Sequence, residues 1–168
     1  MVNIRIETEN DLPAIREVNL SAFPTSEEAE LVDRLRRDAL PLISLVAELD
    51  GCVLGHILFT PVELPVQSSP PAMGLAPMAM LPEHQNLGTG SALVWSGLQA
   101  CRELGAPAVF VLGHPEFYPR FGFIPASRFG LKCEYDAPDE AFMALELISG
   151  ALLEANGVVK FHPDFQGE

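Results

Sequence analysis

The sequence predicts an α/β (α+β) chain with a mixed sheet, and three observations carry that expectation. Residues 74–81 and 108–112 are short apolar runs separated by a helical pattern ending near Gly105, the signature of a βαβ unit. Two more apolar runs, 43–49 and 52–64, meet at Asp50-Gly51, a dipeptide suited to a tight hairpin because both turn residues need positive φ. The first forty residues hold two stretches of helical period. At 168 residues the chain fits one domain, 1–168, with a motif-bearing core of about 2–148 and a C-terminal extension over 149–168.

Composition narrows the class further. Hydrophobic residues make up 48% of the chain, enough for a buried core, yet no run of eighteen apolar residues suggests a membrane span. The N-terminus, Met1-Val2-Asn3-Ile4-Arg5, carries a charge where a signal peptide has its apolar segment, so a cytoplasmic protein is expected. Cys52, Cys101 and Cys133 form no C-x-x-C pair and suit a reducing compartment. The formal net charge is −13, with ten Lys and Arg against twenty-three acids, which argues against nucleic acid or an anionic membrane as partner.

Taken in order, residues 2–7 alternate as an edge-type strand, and Asn10 or Asp11 caps a helix with Pro13 in its first turn and Ile15, Val18 and Ala22 on one face. Thr25 and Glu28 fit a capping box for a second helix, whose apolar stripe is Leu31, Val32 and Leu35. The hairpin follows, then a Pro- and Ser-rich loop over 65–72. Pro77 lies inside the next strand, where it cannot donate a ladder hydrogen bond, so a bulge or an edge is expected there. The helix over 89–104 buries Leu93 or Val94, Gly97 or Leu98, Cys101 and Leu104. Beyond Phe123, residues 127–139 read as a polar connection, 141–148 as a strand and 157–161 as a final one.

The stretch that carries chemistry is Gln85-Asn86-Leu87-Gly88-Thr89-Gly90-Ser91, between the Pro77 strand and the helix. Glycines at a strand-to-helix turn admit a ligand close to the backbone, and the free N–H groups of a first helical turn attract an anion such as a diphosphate. A P-loop would need Lys-Ser/Thr after the second glycine, and a dinucleotide fingerprint would need glycine at Leu93. The segment instead matches Q/R-x-x-G-x-G/A at Gln85, Gly88 and Gly90, and so resembles the coenzyme A pyrophosphate loop of the GNAT superfamily of N-acetyltransferases. Gly113-His114-Pro115-Glu116-Phe117-Tyr118-Pro119-Arg120-Phe121-Gly122-Phe123 resembles the closing motif of that superfamily, in wording most similar to the bacterial YhbS-like branch.

The resemblance implies the GNAT fold, a mixed, mostly antiparallel twisted sheet whose central parallel pair splays apart, with helices on both faces, and transfer of an acetyl group from acetyl-CoA to a primary amine. It makes the chain an acyltransferase for groups other than amino-acyl groups, with no metal required. Acetyl-CoA would contact Met78, Ala79 and Met80 by their backbone, and Gln85, Asn86, Leu87, Gly88, Thr89, Gly90, Ser91, Tyr118 and Arg120. Tyr118 would be the general acid; Glu63 and His114 are the candidate bases. The family places the first two helices on the acceptor side, which puts Phe23, Thr25, Glu27, Glu28 or Glu30 near the amine. With Asp33 on the same helix, the acids favour a cationic small molecule or peptide. A homodimer is compatible with the family. Leu87 stands where the family often has Lys or Arg, and a non-catalytic acyl-CoA-binding module of the same fold is the alternative.

Overall fold

The computed structural model describes residues 1–66, 68–85 and 87–167. Its main elements are β1 (Asn3–Ile6), α1 (Leu12–Ala22), α2 (Glu27–Asp38), β2 (Ile43–Leu49), β3 (Cys52–Pro61), β4 (Met73–Met80), α3 (Thr89–Leu104), β5 (Ala108–Leu112), β6 (Ile124–Pro125), β7 (Leu131–Cys133), β8 (Phe142–Glu146) and β9 (Gly157–Val159). Seven strands form a sheet in the order β1-β2-β3-β4-β5-β8-β6, and β7 and β9 form a separate pair. Within the large sheet the β4–β5 pair is parallel and the other pairs are antiparallel. None of the described helices is long and apolar enough to cross a membrane.

Alternation along β2 and β3 sends neighbouring residues to opposite faces of the sheet. Leu45, Ala47, Ile57 and Phe59 pack in one cluster with Leu93, Leu98 and Cys101 of α3. Val46 and Leu58 pack on the other face with Ile15 of α1 and Leu31, Val32 and Leu35 of α2. The hairpin turn is as the sequence predicts, with φ of 50° at Asp50 and 80° at Gly51.

Pro77 coincides with a break in the ladder. Ile57 pairs with Met78 and Phe59 with Leu75, so three steps on β4 oppose two on β3, a bulge. On its other edge β4 pairs with β5 at only two positions, Met73↔Val109 and Gly74↔Phe110. The two strands then part.

Three sequence expectations change. β3 ends at Pro61, not near Leu64: Val62 N still donates to Ala72 O at 2.9 Å, and Glu63 then exchanges its partner for Lys160. The Thr25–Glu28 capping box does not form: Thr25 Oγ1 accepts from Glu27 N at 3.3 Å, Ser26 is the N-cap, and α2 starts at Glu27. The polar connection contains β7, which pairs in parallel with β9. In the C-terminal extension, Leu152, Ala155, Val159 and Phe161 bury with Phe110 and Ala144 of the large sheet.

A file of polar side chains is buried on the α1 face. Asn19 and His56 have no exposed surface. Asn19 Nδ2 stands 3.4 Å from His56 Nδ1 and, as an amide donor, makes that nitrogen an acceptor. His56 Nε2 therefore carries the hydrogen toward Ser44 Oγ at 2.8 Å, and Ser44 donates to the Glu7 carboxylate. Arg36 completes the file with bonds of 3.1 and 2.6 Å to Glu7. Burial, helped by the Arg36 charge, pushes the His56 imidazole down to about 3, so it is neutral at physiological pH.

Candidate active site

The wedge between β4 and β5 opens into a cleft of about 620 Å³. Its walls are the end of β4 (Met78, Ala79, Met80), the loop into α3 (Gln85, Gly88, Gly90, Ser91), the end of α1 (Ala22, Phe23) and the turn after β5 (His114, Glu116, Phe117, Tyr118, Arg120). Parting of the strands matters chemically. Beyond Gly74, β4 keeps its β3 partner but has no β5 partner, so peptide groups on that edge face the cleft.

At the loop, Gly88 has φ of 84° and serves as the N-cap of α3, a backbone conformation that side chains disfavour. It makes no side-chain cap, and the first intrahelical bond is Ala92 N to Gly88 O at 3.1 Å. The N–H groups of Thr89, Gly90 and Ser91 precede that bond and have no partner within the helix. Gly90 differs from Gly88. A Cβ there would meet only Met78 Cε at 3.9 Å, so the space its hydrogen leaves belongs to the cleft. Open N–H groups, the positive end of a sixteen-residue helix and room at Gly90 fit the diphosphate of a coenzyme A. Gln85 braces this loop, its Nε2 donating to Met80 O at 3.3 Å.

Tyr118 is 6% exposed and packs edge-to-face on Phe117 and Phe123, at centroid distances of 5.0 and 5.7 Å. Burial pushes its phenol up to about 12, so the proton is retained at physiological pH. Among the described residues its hydroxyl has no hydrogen-bond partner and is available to a ligand. The N–H groups of Phe117 and Tyr118 donate to His114 O at 3.1 and 3.4 Å, which folds 114–118 into one tight turn. Arg120 lies over the Phe117 ring at 4.7 Å and donates from Nε to Phe117 O at 2.9 Å.

Most of the residues singled out in the sequence converge here, with exceptions. Glu63 does not line the cleft. Antiparallel pairing sets the end of β3 beside the start of β4, so Glu63 lies at the far end of that strand, near Lys160 and His162. Leu87 is 69% exposed and Thr89 is buried, and neither lines the cleft; Asn86 lies outside the described residues. Thr25, Glu27, Glu28, Glu30 and Asp33 also stand off it, and Asp33 is paired with Arg16 at 2.6 Å. Reasoning from sequence passed over Ala22, Glu116 and Phe117 as site residues. The last two lie between His114 and Tyr118, and that position was the available signal.

Fold and cleft together define an acetyltransferase architecture, and the chain belongs to the acetyltransferase (GNAT) family, whose model matches residues 12–123. It is 42% identical to the uncharacterized N-acetyltransferase YjhQ of Escherichia coli K12, over 80% of this chain and 77% of that one. To the uncharacterized N-acetyltransferase YhbS of the same strain it is 35% identical, over 96% and 97% of the two chains. The crystal structure of E. coli YhbS in complex with CoA superposes with a TM-score of 0.92, covering 98% of this chain and 92% of that one. A GNAT family acetyltransferase of Brucella melitensis in complex with acetyl-CoA gives 0.80 at 34% identity, with 98% of each chain covered.

Proposed function

We propose that the chain is a single GNAT domain over 1–168 that moves an acetyl group from acetyl-CoA directly to a primary amine, in the cytoplasm. The observation that carries this reading is the convergence on one cleft of the uncapped α3 N-terminus, the unpaired edge of β4 and the Tyr118 hydroxyl. The diphosphate would lie on the N–H groups of 89–91, with Arg120 nearby. The pantetheine arm would follow the free peptide groups of 78–80, and an N–H near Met80 would polarise the thioester carbonyl.

In the reaction the amine attacks the acetyl carbon, the C–S bond breaks, and the proton lost from nitrogen balances the one gained by sulfur. A lysine-type amine near pKa 10.4 is neutral in about one molecule in 2,500 at pH 7, so a base or a water leading to one is needed. His114, on the cleft rim, is the base in this reading. Tyr118 serves the leaving thiolate. With its phenol near 12 and a thiol near 8.5, complete proton transfer would cost about 5 kcal/mol, so the phenol acts by donating a hydrogen bond as charge develops, and solvent delivers the proton.

Calorimetry with acetyl-CoA, followed by thiol detection over a panel of amines, tests the proposal: binding and thiol release are both expected. Binding without release from any amine would favour a sensing module. The position of Leu87, apolar and off the cleft, supports that second reading, because it supplies no cation to the phosphates.

A further inference from the structure

Trp95 is 51% exposed, although Leu93, Val94, Gly97 and Leu98 around it on α3 are buried. Its ring is nonetheless held: it meets Phe121 edge-to-face at 5.1 Å, and Phe121 meets Phe117, a residue of the cleft wall, at 5.1 Å. Along the helix Trp95 follows Ser91, another wall residue, by four positions, so the two share one face with about 6 Å of rise between them. The helix and the ring contacts separately place the indole at the cleft rim, where the α3 loop faces the turn after β5.

That rim is the one the outer end of a coenzyme A must cross. α3 packs on the sheet face of Ile57 and Phe59, whereas α1 packs on the opposite face with Val46 and Leu58. The cleft runs through from one face to the other, with Ala22 and Phe23 of α1 at one end and Gly88, Gly90 and Ser91 at the other. A diphosphate on the N–H groups of 89–91, with its pantetheine arm in the wedge, leaves the adenosine outside on the α3 side. Leu87 adds no charge to that loop, so grip on the adenosine falls to apolar contact, and the half-uncovered indole is the aromatic surface available there.

We propose that Trp95 is an adenine platform, on which the purine of coenzyme A stacks. The proposal rests on the coenzyme A reading above and adds a contact that lies in neither of the two motifs. Flat rings stack on an indole without a hydrogen bond, so the platform needs only a face held in place, and the Phe121 contact holds it. Adenine is uncharged at physiological pH, so the net charge of −13 does not oppose this part of the ligand.

Calorimetry on the full chain tests this without knowledge of the natural acceptor. Against the native protein, adenosine 3′,5′-bisphosphate should displace CoA about tenfold more effectively than ribose 3,5-bisphosphate, which keeps both phosphates and lacks the base. Trp95→Ala should weaken CoA binding about tenfold and Trp95→Phe by no more than about threefold, with melting temperatures within a few degrees of native. Phosphopantetheine, which ends before the adenosine, should bind all three proteins alike. The proposal is overturned if the two bisphosphates compete equally, if Trp95→Ala binds CoA as the native chain does, if Trp95→Phe loses as much as Trp95→Ala, or if phosphopantetheine weakens in step with CoA. Failure of CoA to bind the native protein is a separate result, and it removes the coenzyme A reading together with the proposal.

Discussion

The two faces of the central sheet use polar groups in opposite ways. On the α1 face, the file from Asn19 through His56 and Ser44 to Glu7 and Arg36 runs from side chain to side chain, largely out of water, and leaves Asn19 Oδ1 buried without a hydrogen-bond partner among the described residues. At the β4–β5 wedge the polar groups are mainly peptide groups, left without partners because two strands part after two residue pairs. His56 is itself the ladder partner of Ala79, a residue of the cleft wall, so one peptide unit separates the two systems. Side chains paired with one another fix a position, whereas an open strand edge awaits a ligand. The contrast predicts that variants in the wedge alter binding and turnover with little change in stability, and that variants in the file do the reverse.

The largest effect expected is at the glycines. Gly90→Val should abolish acetyl-CoA binding by calorimetry while leaving the melting temperature within a few degrees, because the new side chain enters the cleft and not the core. Gly88→Val should lose both, since its φ of 84° strains any β-branched residue. Equal loss of stability in the two variants would erase the distinction between a glycine needed by the backbone and one needed by the ligand.

Next comes Tyr118→Phe, which keeps the ring packing and removes the donor. Turnover should fall by about 10²-fold with acetyl-CoA affinity unchanged within a few-fold. Full turnover in that variant would make Tyr118 part of the wall alone.

The buried file is broken by acid. Below pH 6.5 an unfolded chain protonates His56 while the native fold, holding it near 3, does not. The unfolded state then binds more protons, so stability should fall as the pH drops from 6.5 toward 3, by up to about 1.4 kcal/mol per pH unit. Denaturant melts of the native chain and of His56→Gln over that range check the sign, and the variant should show the shallower slope.

A smaller effect is expected at Asp11. Arg5 donates to its carboxylate at 2.7 and 2.9 Å and Thr8 N at 2.7 Å, and these bonds hold the acid well below its ordinary pKa. Its contribution is present above about pH 4 and is lost as the pH falls further. Asp11→Asn should cost about 1 kcal/mol at pH 7 and progressively less as the pH falls below about 4 toward the depressed native pKa. Acetyl-CoA binding should be untouched in this variant, as the comparison between the two systems requires.

Local chemistry explains which parts of the fold could be read beforehand. Asp50-Gly51, Gly88, Gly105 and Pro77 each demand a backbone state that few neighbours can override, and each marks a turn, a cap or a bulge in the structure. The loop into α3 and the turn after β5 are legible for the same reason, with Gly88 and Gly122 both at positive φ. Strand β7 was missed because it is three residues long and its partner, β9, begins 26 residues after it, so no local pattern announces the pairing. Glu63 was misplaced because a strand's sequence does not say which end of its neighbour it meets. The α2 acids illustrate a further gap: a charged stripe is visible in a sequence, but the Arg16 that neutralises Asp33 lies a helix away.

Trp95, the only tryptophan in the chain, is half-exposed on α3 and meets Phe121 edge-to-face at 5.1 Å. Phe121 in turn packs on Phe117, and both belong to the segment that carries Tyr118 and Arg120. All indole emission from the protein therefore originates beside the turn that a cofactor would order. Quenching or a spectral shift of that single fluorophore reports cleft occupancy in solution with no label attached.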